Sequence, residues 1–245
     1  MGKNRGLIKI SKFFNQNLQI EITYFRNSFK EVTNISPNKI INQTMKNKGI
    51  NYDIGTEYIP GALTRTGLSR GVIEFDLTAI KDELFCNSVR IYGKEKDDLI
   101  LAAEIALEIG LNVWLSPRLI NNDSQTTLLY LKEISVDFEI LRMKYPTKEL
   151  VLIIGAEISI DMKDFVTGET IYERIDNLLK PIFFLKNFIG IKPSFQKLFE
   201  KFLNDAVTTV KKYFKGKITY ASASWESVDW SIFDIVSINL YKADY

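Results

Sequence analysis

LVLIIGAEIS, residues 150–159, is a continuous apolar run that stops abruptly at Gly155, Ala156 and Glu157. Such runs mark strands buried on both faces, as in parallel sheets. A carboxylate at the end of such a strand stands where open α/β sheets and α/β barrels keep their chemistry, beyond the carboxyl ends of the strands. Glu157 is therefore the leading catalytic candidate. The alternative is that it caps the following turn or pairs with a nearby arginine.

A regular rhythm surrounds this run. Upstream, residues 51–58 read as a first strand closing on Glu57 and Tyr58, with Pro60 and Gly61 in the loop beyond. A helix follows, its apolar face drawn by Val72, Phe75, Ala79, Ile80 and Leu84. NSVRIYG is a second strand carrying Arg90. The next helix aligns Leu99, Ala102, Ala103, Ala106 and Leu107 and stops at Gly110. LNVWLSPRL is a third strand with Ser116 and Arg118 toward its end, and the helix after it opens near residues 122–124, turns Leu131, Ile134, Phe138 and Leu141 inward and stops before Pro146. Downstream of Glu157 come an insertion at about residues 161–193 and an amphipathic helix from Phe195 to Val210 that includes Leu198. A fifth strand then runs to Trp225 and Glu226, a short turn or helix spans residues 228–233, and a sixth strand closes on Asn239 and Tyr241. Residues 1–48 form an N-terminal extension. In it, residues 7–11 and 18–25 read as short strands, although residues 11–22 could equally be a helix, and residues 34–48 as a surface connection or, over 38–47, a short helix.

Composition bounds the function. Apolar residues make up 46% and charged residues 25% of 245, so the chain can build a large core. A formal charge of +2 gives no reason to expect nucleic acid. One cysteine, Cys86, makes no intrachain disulfide, and the absence of histidine removes the commonest zinc ligand and the usual catalytic triads. No apolar segment of signal-peptide or membrane-span length stands out, so a cytoplasmic location and no membrane partner are expected. No cofactor is implied. Asp161, Asp164 and Glu157 could in principle hold Mg²⁺, but DMKD is more often a solvated loop.

Alternation of strand and helix predicts a parallel α/β sheet with right-handed crossovers, doubly wound or closed as a TIM-type (β/α) barrel. No glycine-rich phosphate loop follows any strand, and Glu57, Arg90, Ser116, Arg118, Glu157, Trp225, Glu226, Asn239 and Tyr241 all fall toward strand ends, where one shared mouth could collect them. Both features favour the barrel over residues 49–245, with six recognisable units. A mouth of aromatics, carboxylates and amides suits a carbohydrate, although any single aromatic there, Trp114, Trp225 or Tyr241, is more often a core plug.

The motifs YDIGTEYIPG, CNSVRIYG, GLNVWLSPRL, VLIIGAEIS, TYASASWE and DWSIFDIVSINLY, in this order between residues 51 and 241, resemble bacterial proteins related to the large retaining clan of (β/α)8 glycoside hydrolases, some of them labelled abortive infection proteins. The resemblance implies that Glu157 is the general acid/base, that Arg90 orients a nucleophile, and that Tyr241 borders the sugar. Ala156 stands where the clan usually has Asn. The resemblance also implies a nucleophilic Glu on a seventh strand, whereas the sequence stops at Tyr245 after the sixth.

The expectation is a shortened relative that folds and hydrolyses weakly or not at all, or a non-catalytic carbohydrate-binding or phage-defence protein. Alternatively, the N-terminal segment or a second copy supplies the missing strands, or Glu57 or Glu226 works with Glu157 at the ~6.5–9.5 Å spacing of inverting enzymes. An incomplete barrel leaves open strand edges, so a patch from residues 7–25 or self-association is expected.

Overall fold

The computed structural model describes residues 25–26, 47–180 and 195–239. In chain order its strands are β1 (Phe25–Arg26), β2 (Gly49–Asp53), β3 (Glu57–Ile59), β4 (Ala62–Leu63), β5 (Ser88–Gly93), β6 (Asn112–Pro117), β7 (Leu150–Ala156), β8 (Lys217–Ser222) and β9 (Val236–Ile238). The helices are α1 (Arg70–Asp82), α2 (Lys96–Glu108), α3 (Ser124–Lys144), the one-turn α4 (Ile158–Asp161), α5 (Ile171–Leu178) and α6 (Gln196–Tyr213), and Trp230–Ile232 form a 3₁₀ turn.

Six strands run parallel in the order β2-β5-β6-β7-β8-β9, forming a curled sheet flanked by helices. Spatial order follows chain order, as expected where each helix carries the chain to the adjacent parallel strand. β7 explains why its sequence is uninterrupted: all seven of its residues are buried. Leu150, Leu152 and Ile154 join the main core with the helices, while Val151 and Ile153 join Trp114, Ala156, Ala221 and Ile235 in a second cluster. Alternate residues of one strand thus feed two cores, and each fully buried Leu or Ile contributes roughly 1.5–3 kcal/mol.

The outer edge of β9 is covered by β1, which pairs antiparallel through Phe25↔Ser237 and Arg26↔Val236. That end of the sheet is patched from within the chain, at the last residue of the predicted patch. Residues 1–24 and 27–46, with the remaining strand and helix expectations there, lie outside the described residues, as does the apolar cluster at 181–191. The insertion proves to hold α5.

Helices α2 and α3 bury the residues their spacing predicts. α2 ends as expected, with Gly110 at φ 97 just past its cap, a left-handed position that a side chain would strain. Asp123 caps α3 by accepting from Thr126 N–H at 2.7 Å, and Phe138 of α3 stacks on Phe214 beyond the end of α6, ring centres 5.0 Å apart. α6 buries Phe199, Phe202, Leu203, Ala206, Val207 and Val210, but leaves Leu198 exposed.

Two expectations need correction. α1 buries Ile73, Leu77 and Ile80; of the predicted face only Ile80 is buried, while Val72, Phe75 and Leu84 are exposed, Phe75 to 74%. Both stripes have helical spacing; in the observed rotation Ile73, Leu77 and Ile80 enter the main core and Asp76 receives the Tyr52 hydroxyl from β2 at 3.0 Å and pairs with Arg65. The first strand also ends earlier than predicted. Asp53 Oδ1 accepts from Gly55 N–H at 2.9 Å, Gly55 adopts φ 116, and the chain turns out of the sheet. Glu57 and Tyr58 then belong to a separate β3–β4 hairpin.

Candidate functional site

The carboxyl end of β7 is a sharp turn made possible by small residues. Pairing with β8 shifts register between Ile153 and Ala156. A Cβ on Gly155 would lie 2.5 Å from Ile158 Cγ2. Glu157 then takes the left-handed conformation, φ 51 and ψ 38, which a non-glycine residue holds only when its surroundings over-determine it. Those surroundings are a Glu157 N–H bond to Ala221 C=O at 3.0 Å and the Glu157 carbonyl, which accepts from Ile160 and Asp161 N–H at 3.0 and 3.2 Å and so starts α4.

The Glu157 side chain is not turned to bulk water. The residue is 5% exposed, and its Oε1 accepts from Asn239 Nδ2 at 3.0 Å. Asn239 follows β9, two strands away, so this bond reaches across β8. Two candidates from different strands therefore meet, although the residues after 239, Tyr241 among them, lie outside the described residues.

Beside Glu157 lies an ion pair whose carboxylate is buried and whose arginine is half-buried. Arg118, just past β6, donates from Nε and Nη2 to Asp161 at 2.7 and 3.1 Å. Its Nη1 donates to the Tyr58 hydroxyl at 2.7 Å, and the guanidinium lies 5.1 Å from the centre of the Tyr58 ring. Burial works against the charge on Arg118, but the charge and hydrogen bonds of Asp161 outweigh it and hold the guanidinium well above its ordinary pKa. Burial pushes the Asp161 carboxyl up against the opposing pull of Arg118. The pair is bidentate, the geometry in which both groups are best satisfied as ions. The Asp161 carbonyl is held in turn by Arg174, a fully buried guanidinium that also donates to Ile160 C=O at 2.5 Å and Gly168 C=O at 2.8 Å. Arg118, Gly155, Ala156, Ile158 and Asp161 line part of a cavity of about 10 Å³, room for about one water.

Glu226 forms a third group. It lies in the loop after β8, which ends at Ser222, earlier than predicted, and it is 9% exposed. Its Oε1 accepts from Ser159 N–H and Oγ at 3.1 and 2.6 Å, and its Oε2 from the Tyr220 hydroxyl and Ala223 N–H at 2.7 and 2.9 Å. Burial pushes its carboxyl up to about 7. The half-buried Trp225 donates from Nε1 to Ser159 Oγ at 3.0 Å.

The remaining candidates divide. Arg90 lies mid-strand rather than at a tip; it is buried, stands beside Trp114 in register, and donates to Ser116 Oγ at 3.1 Å. Glu57 is engaged by Lys94 and by Gly61 N–H in the hairpin, while its neighbour Tyr58 reaches Arg118. Asp164 accepts from Ser124 at the start of α3, Asp161 belongs to Arg118, and no group able to hold a metal is found among the described residues. Sequence reasoning gave no site role to Ser159, Arg174 or Tyr220. Tyr220 alternates into the helix-facing core, and only its hydroxyl reaches Glu226. No protein-family model matches the chain, and no curated protein matches it.

Proposed function

We propose that this chain is a glycoside hydrolase-like protein built on an incomplete TIM-type (β/α) barrel, which binds a carbohydrate at the carboxyl ends of its strands and turns it over weakly or not at all. The observation that carries this reading is the Glu157 carboxyl group at the tip of β7, 5% exposed and held by Asn239 from beyond β9. A carboxyl group in that place could hydrogen-bond sugar hydroxyls or protonate a glycosidic oxygen. Half-buried Trp225 offers an aromatic surface nearby, since its indole shares the turn after Glu157 through Ser159.

Weak turnover follows from the neighbouring carboxylates. Retaining hydrolysis needs a second carboxylate about 5–5.5 Å away, free to attack the anomeric carbon. Glu226 spends both oxygens on four donors, and Asp161 spends both on Arg118. Glu226 is saturated with donors and Asp161 is held in a bidentate ion pair, so neither is poised as the nucleophile.

Titration calorimetry against a panel of oligosaccharides, run alongside aryl glycoside hydrolysis, tests the reading. Binding that is abolished by Trp225→Ala and weakened by Asn239→Ala, with little turnover, is expected. Absence of both binding and turnover across the panel sinks it. Efficient hydrolysis lost in Glu157→Gln would replace it with a working enzyme.

A further inference from the structure

We propose that Glu226 is a positioning residue for the Glu157 turn and acts as a proton-linked clasp, holding residues 157–161 against the 223–226 loop when its carboxyl is neutral and loosening that contact when it is charged. What the clasp regulates depends on the reading of the Glu157 turn as the sugar site. How it works depends only on the clasp itself.

One carboxyl group gathers Ser159, Tyr220 and Ala223. The Tyr220 hydroxyl in turn accepts from Ile158 N–H at 2.9 Å, and Ser159 Oγ accepts from Trp225. The two residues that follow Glu157 are thereby tied, directly or through one hydroxyl, to Glu226. All four donors on the carboxyl are neutral, and the site is sealed, so a negative charge there keeps a desolvation cost that the donors offset only in part. In the neutral acid the new O–H can donate to Ser159 Oγ or to the Tyr220 oxygen once those hydroxyls rotate, while other lone pairs still accept the two backbone amides. In the ion, opening the clasp lets water reach the carboxylate. Rising pH therefore favours the open form.

The titratable and charged groups around the clasp are Tyr220 on β8, Glu157 on the turn, the Arg118–Asp161 pair at the turn's far end, and Glu200 on α6. Glu200 reaches the same loop through Gln196, whose Nε2 donates to Glu200 at 2.9 Å and to Ser227 C=O at 2.6 Å. Burial, with Glu226 beside it, holds the Tyr220 hydroxyl well above its ordinary range, so it does not titrate near neutrality.

Amide hydrogen exchange on the full chain, followed by NMR and corrected for intrinsic rates, tests the clasp. An open clasp has the ordinary glutamate pKa and a closed one about 7, so protection at Ile158, Ser159 and Ala223 is expected to fall roughly tenfold between about pH 6 and 8.5. The Trp225 indole N–H resonance is expected to shift over the same range. In Glu226→Gln both should stay flat. Should that variant fail to fold, Ser159→Ala removes one donor to the carboxylate and should move the fall to higher pH. Flat protection in the native chain, an equal fall in Glu226→Gln, or an unmoved fall in Ser159→Ala overturns the proposal. Loss of the site reading would show differently, as no sugar binding at any pH with the exchange pattern intact.

Discussion

Replacing Arg118 with Met keeps the aliphatic stem and removes the guanidinium. Asp161, its side chain 2% exposed, then loses the partner of both carboxylate oxygens, and Tyr58 loses one of the donors that tie the hairpin to the strand ends. Breaking one side of a buried pair typically costs about 3–5 kcal/mol, because it leaves an uncompensated charge. In a chain of this size that corresponds to a fall of roughly 6–20 °C in Tm. Replacing both partners, as Arg118→Met with Asp161→Leu, removes the charge as well as its partner and should cost much less than the sum of the single changes. Urea unfolding of the four proteins at pH 7 gives the coupling directly. The loss in Arg118→Met should also shrink in acid, since burial already raises the Asp161 carboxyl and protonation removes the orphaned charge. A single-variant loss below about 1 kcal/mol would mean that the pair behaves as a solvent-exposed one. A double variant as unstable as the sum would refute the coupling.

Glu226 should impose a pH slope on global stability. Its folded pKa of about 7 lies above the unfolded value of 4.5, so its contribution is fully present below about pH 4.5 and is lost as pH rises through 7. That loss is about 3 kcal/mol at 1.36 kcal/mol per unit, and chemical denaturation across this range should show it in the native chain and not in Glu226→Gln. Glu57, held low by its hydrogen bond to Lys94, acts in the opposite sense and only in more acid solution. On α1, Leu77→Ala should cost roughly 2–5 kcal/mol and Phe75→Ser within about 0.5 kcal/mol by denaturant titration; equal losses would refute the observed rotation of that helix. Gly155→Ala places a methyl 2.5 Å from Ile158 Cγ2 and should destabilise by about 1–3 kcal/mol, with calorimetry as the check; an unchanged Tm would mean that the turn after β7 has room to shift.

Local periodicity carried much of the fold. The unbroken apolar run at 150–154, the stripes on α2 and α3, and the stop at Gly110 are all legible because burial and backbone conformation repeat over a few residues. Glu157 was legible as a candidate for the same reason, since it interrupts an apolar run at a strand end. α1 shows the limit. Val72–Phe75–Ala79–Ile80 and Ile73–Leu77–Ile80 are both valid helical stripes that share Ile80, and the choice between them is made by packing against the core and by the contact of Asp76 with Tyr52 and Arg65.

Spacing of neighbouring residues was enough for the alternation of the six parallel strands with helices and for one carboxylate at a strand tip, but not for the β3–β4 hairpin. Only the tertiary structure decided which groups meet that carboxylate. Tyr58 and Arg118 lie 60 positions apart, Ser159 and Glu226 lie 67 apart, and Glu157 and Asn239 lie 82 apart. Contacts at such separations leave no periodic trace. They arise when the curl of the sheet brings the ends of distant strands together, and they determine that Asp161 pairs with Arg118, that Glu226 is held by Ser159, Tyr220 and Ala223, and that Glu157 meets Asn239.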